Sequence, residues 1–79
     1  MRILYLATAG AADPTRASLS LHIAANGSVE EGQECAIALV GDGTELASQE
    51  AAERLEGIGV PPVRELLQKL RDNAVPVFV

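Results

Sequence analysis

Three apolar runs constrain the fold of this chain more than anything else in it. Ile3 to Ala7, Cys35 to Val40 and Val75 to Val79 are apolar at successive positions. In the first run, Ile3, Tyr5 and Ala7 fall on one face of a strand, and Leu4 and Leu6 on the other. A strand with one wet face alternates apolar and polar residues. A parallel strand covered by helices on both faces does not. The runs therefore read as three buried strands, and the segments between them are long enough to return the chain for parallel pairing by right-handed crossovers. Pro76 cannot donate a ladder hydrogen bond, so it belongs near the start of its strand or on an edge.

The intervening segments carry helical signals. Asp13-Pro14-Thr15 offers a capping side chain followed by a proline suited to a first turn. The helix it opens is expected to run to about Glu31 and stop at Gly32, a left-handed cap. Ala17, Leu21, Ala24, Ala25 and Ser28 share one face of it, and these mostly small residues allow close approach to a sheet. Leu19 and Ile23 lie on the opposite side and form a candidate subunit contact. After Gly41-Asp42-Gly43, Thr44 is expected to cap a short helix through Ala47, and Ser48 to Gly59 is read as helical. Pro61-Pro62 opens the clearest helix, in which Val63, Leu66, Leu67 and Leu70 are spaced i, i+3, i+4 and i+7. Asn73 is expected to supply its left-handed terminus. The order is strand–helix–strand–helix–strand, an α/β fold with a parallel sheet.

Composition narrows the function classes. Seventy-nine residues make one domain, and a core this small is thinly stable without further support. The single cysteine excludes an internal disulfide, and no Cys/His cluster offers a structural metal site. Self-association is the expected support. Net charge is −5, and the six Lys and Arg are scattered rather than striped, which argues against nucleic-acid binding. No apolar run reaches the length of a membrane span, and Met1 to Ala7 is too short for a secretory signal, so a cytoplasmic location is expected.

Chemistry in an open parallel sheet belongs beyond the carboxyl ends of the strands. There, Thr8, Ala9, Gly10, Asp13 and Arg16 form a candidate ligand loop at a helix N-terminus, where free amides favour an anion. Asp13 opposes an anion, and no Gly-x-Gly-x-x-Gly or Gly-Lys-Ser/Thr loop is present. Capping is the simpler role. Cys35 begins a strand with no neighbouring His or Lys to activate it, which favours a structural thiol. His22, the only histidine, has no nucleophile nearby in sequence. Asp42 with Glu45 is weak evidence for a metal. No catalytic residue, cofactor or metal ligand emerges.

The chain also resembles the DsrE/DsrF-like family. The resemblance lies in Ile3-Leu4-Tyr5-Leu6-Ala7-Thr8-Ala9-Gly10, Asp13-Pro14-Thr15-Arg16-Ala17-Ser18-Leu19 and Ala24-Ala25-Asn26-Gly27. It continues through Ala38 to Leu46 and through Gly57-Ile58-Gly59-Val60-Pro61-Pro62-Val63-Arg64-Glu65-Leu66-Leu67. It implies a three-layer α/β/α fold and homo- or hetero-oligomers, often trimers or hexamers. It also implies a link to sulfur relay, in which a cysteine of some relatives carries persulfide sulfur. That cysteine lies just beyond the third strand in sulfur-carrying relatives, so Cys35 does not match it. The expectation is a chain shortened at its C-terminus and not catalytically competent by itself.

Overall fold

A computed structural model describes residues 2–79. The elements run β1 (Arg2–Ala7), α1 (Pro14–Ile23), a π-helical segment (Ala24–Ser28), β2 (Glu34–Leu39), a 3-10 helix (Gly41–Ala47), α2 (Gln49–Arg54), α3 (Val63–Asp72) and β3 (Val77–Phe78). The sheet has the order β1-β2-β3 and every pairing is parallel, with Ile3 opposite Cys35, Ala7 opposite Leu39 and Ile37 opposite Val77. The α/β class and the parallel sheet expected from the three apolar runs are present.

The odd-numbered residues of β1 and β2 face the helices. Ala7, Cys35, Ile37 and Leu39 are buried there with Ala17, Leu21, Ala24 and Ala25, and with Val63, Leu66 and Leu70 of α3. Burial of each large aliphatic side chain contributes about 1.5–3 kcal/mol. The even-numbered residues tell a different story: Leu4, Leu6 and Phe78 are 59%, 56% and 58% exposed. Topology explains this. Two successive crossovers of the same hand in the order 1-2-3, right-handed by rule, place both helical connections on one side of the sheet. Of the three layers implied by the family resemblance, the described residues supply the sheet and one helical layer.

Asp13 caps α1 as expected, its Oδ1 accepting the Arg16 N–H at 3.1 Å, with Pro14 in the first turn. The helix does not continue as a regular α-helix to Glu31. After Ile23 it widens into the π-helical segment, where Asn26 and Gly27 are poor helix formers. The wider turn carries an extra residue. Ala24, Ala25 and Ser28 are all buried in it, and the Ser28 hydroxyl meets the Tyr5 hydroxyl of β1 at 2.6 Å. The turn ends as expected at Gly32 (φ +70°), with Gly32 N–H bonded to Val29 C=O and Gln33 N–H to Ser28 C=O. That is a Schellman ending.

The second crossover differs more from expectation. Thr44 is not a cap but lies within the 3-10 helix, its hydroxyl donating to Gly41 C=O at 2.8 Å. Only Gln49–Arg54 of the Ser48–Gly59 stretch is helical, and Ser48 is its N-cap. At the end of α3, Ala74 rather than Asn73 takes the left-handed conformation, at φ +56°. Asn73 instead turns its side-chain amide onto Lys69 C=O at 2.8 Å. The third strand is shorter than Val75–Val79. Pro76 lies just before it and accepts the Ile37 N–H at 2.9 Å.

Candidate functional site

The loops after β1 and β2 converge at the carboxyl ends of the strands. Val40 N–H bonds to Ala7 C=O at 3.1 Å, which carries the ladder one residue past β2. Gly43 then presses on the same carbonyl so closely that a Cβ would overlap its oxygen. Gly10 has a similar fit: a Cβ there would strike the Glu45 carboxylate and the Asp42 carbonyl. These two glycines let the loops cross in contact, the close backbone approach that glycine permits.

The five candidate ligand residues lie together on this surface. Thr8 and Asp13 are exposed, Ala9 is half-buried, Gly10 is buried, and Arg16 projects from the first turn of α1. Acceptors from the chain itself already meet three backbone amides here, the Asp13 N–H bonding to Gly10 C=O at 3.1 Å. Glu45 Oε1 accepts the Ala11 N–H at 3.0 Å, and Asp13 accepts the Arg16 N–H. The Arg16 guanidinium is also 3.8 Å from the Asp13 carboxylate. Thr15 Oγ1 accepts the Ile58 N–H at 2.9 Å, so the loop before α3 is tied to the same helix end. Sequence reasoning treated Glu45 only as a weak metal ligand and missed its contact with Ala11. Nothing local marks a carboxylate for an amide so distant in sequence. Among the described residues no group of three or more His, Cys, Asp or Glu side chains gathers as a metal site.

Cys35 stands elsewhere, at the amino end of β2 on the helix-covered face, where it is 8% exposed. Burial removes solvent from the thiolate and raises the thiol pKa above its ordinary value. Such a thiol is a poor nucleophile at neutral pH. A recess of about 780 Å³ opens beside it at the amino ends of the strands, with Arg2, Leu4, Val75 and Phe78 in its wall. The recess and the loop cluster lie at opposite ends of the sheet.

The outer side of α1 carries the candidate contact residues. Leu19 and Ile23 are 44% and 52% exposed. On the inner side, Ser20 Oγ donates to Leu6 C=O at 2.9 Å. Ala7 C=O points toward β2, so by the alternation of a strand Leu6 C=O points to the open edge. The serine thereby blunts part of an unpaired strand edge. No helix among the described residues is long and apolar enough to cross a membrane.

Comparison with known proteins bears on this arrangement. Searches of curated proteins and of solved structures returned no match. The sequence model of the DsrE/DsrF-like family matches residues 1–79, and that interval spans every element described above, from β1 through both crossovers to β3. A family associated with sulfur relay thus accounts for the whole parallel α/β unit: the chain belongs to the DsrE/DsrF-like family.

Proposed function

We propose that this chain is a subunit of an oligomeric, cytoplasmic DsrE/DsrF-like assembly linked to sulfur relay, and that Cys35 serves its core rather than carrying sulfur. The burial of Cys35 on the helix-covered face supports the second half of this reading. Sulfur relay requires a thiolate to attack a sulfane sulfur. The donor's bond to that sulfur breaks, a persulfide forms on the attacking cysteine, and a second thiol then takes the outer sulfur. A buried thiol with a raised pKa supplies little thiolate at neutral pH.

Support for assembly comes from exposed apolar side chains on two surfaces: Leu19 and Ile23 on α1, and Leu4, Leu6 and Phe78 on the bare sheet face. Both are more than scattered surface residues, because each set is contiguous on one element or one face. Two measurements test the reading. Incubation with a polysulfide, followed by tagged alkylation and intact mass, is expected to leave Cys35 without added sulfur. A persulfide on Cys35 overturns that assignment. Native mass spectrometry is expected to give multiples of the 8.2 kDa chain. Their loss in a Leu19→Asp, Ile23→Asp double variant places the contact on α1, and an unchanged assembly removes α1 from it.

A further inference from the structure

The π-helical segment presents Asn26 between two groups from different elements. Its side chain lies 3.0 Å from His22 Nδ1, one turn earlier, and its Oδ1 accepts from Lys69 Nζ of α3 at 2.9 Å. The ammonium of Lys69 also meets the carboxylate of Glu30, just beyond the π-helical segment. These contacts tie the α1 rod to α3 where the two cross.

The chemistry of these groups fixes the direction of every bond. A lysine ammonium only donates, so it requires the oxygen of the Asn26 amide. The Asn26 nitrogen is then turned toward His22, and an amide nitrogen only donates. His22 Nδ1 must present a lone pair to it. The ring proton of neutral His22 is thereby assigned to Nε2.

We propose that His22, Asn26 and Lys69 form a proton-sensitive latch between α1 and α3, closed when His22 is neutral with its proton on Nε2. An imidazolium carries protons on both nitrogens, so a proton on Nδ1 confronts the Asn26 NH₂ group, donor against donor. Turning the Asn26 amide by half a rotation gives the imidazolium an oxygen. The same rotation directs the NH₂ group at the Lys69 ammonium. One of the two Asn26 bonds is lost in either arrangement. The charged groups bonded within this cluster are Lys69 from α3 and Glu30 from beyond the π-helical segment. Glu30 keeps its hold on Lys69 in both arrangements. Protonation of the ring therefore breaks one of the two Asn26 bonds and leaves the helices joined through Lys69 and Glu30.

Nitrogen-15 NMR of the His22 ring, recorded together with the Asn26 side-chain amide between about pH 5 and 8, tests the latch. At the upper end the Nε2–H form is expected to exceed the Nδ1–H form by about tenfold, near the worth of one retained hydrogen bond. On acidification the Asn26 amide protons are expected to shift with the same midpoint as the ring. In Lys69→Met the amide is free to turn, and the tautomer ratio is expected to fall severalfold. In Asn26→Asp both oxygens accept, and His22 is expected to hold a proton on Nδ1 where the unaltered chain does not. A predominance of the Nδ1–H form in the unaltered chain overturns the proposal. So do Asn26 amide resonances that stay fixed while the ring titrates, or a tautomer ratio unmoved by Lys69→Met.

Discussion

Ala74 holds a backbone conformation that alanine takes at a cost of about 1–2 kcal/mol, because in the left-handed region its Cβ crowds the following carbonyl. It stays there because the ending of α3 demands it. Ala74 N–H bonds to Arg71 C=O at 3.0 Å and Val75 N–H to Leu70 C=O at 2.9 Å, the same bonding as at Gly32. Ala74→Gly is expected to raise stability by about 0.5–1 kcal/mol, read as a higher denaturation midpoint with an unchanged slope. Cys35 adds a pH dependence. Its folded-state pKa is raised by desolvation, so the folded chain keeps a proton that the unfolded chain releases above the ordinary thiol value. Stability is expected to fall as pH rises through and beyond that value, and Cys35→Ala should reduce the alkaline slope in urea melts. Gly32 was legible in the sequence because glycine marks its own conformation. Ala74 was not, since only the packing of Val75 past the end of α3 forces an alanine into that role.

The helices differ in how much of their structure the sequence carried. In α3 the apolar spacing gave the buried stripe, and Val63, Leu66 and Leu70 are fully enclosed while Leu67 lies half-buried at its margin. Leu66→Ala is therefore expected to cost about 2–5 kcal/mol in chemical denaturation, with a clearly smaller loss for Leu67→Ala. The small-residue face of α1 was legible for the same reason. Its widening at Ala24 was not, because residue spacing assumes a uniform 3.6-residue turn and a π-helical turn departs from it. The second crossover was the least legible part. Its 3-10 helix holds Gly43 against the Ala7 carbonyl, a contact between loops distant in sequence. The candidate ligand loop shares this limit. Its residues were found by their place after β1, yet the Glu45 carboxylate on the Ala11 amide depends on a convergence that no local pattern encodes.

For the molecule as a whole, the three apolar runs fixed the class and the parallel pairing, but an apolar strand face says nothing of what lies over it. Unbroken apolar runs imply strands with helices on both sides, whereas the described residues place both helical connections on the odd-numbered side. Leu4, Leu6 and Phe78 therefore contribute little to the enclosed core. A saturation scan along β1 and β2, scored by retention of the fold, is expected to show tolerance alternating from one residue to the next. Polar replacements should be rejected at Cys35, Ile37 and Leu39, and accepted at Leu4 and Leu6. The same scan scored by function in cells asks a different question of the same residues. If the alternation vanishes there, selection is acting on a side of the sheet that folding alone leaves free to drift.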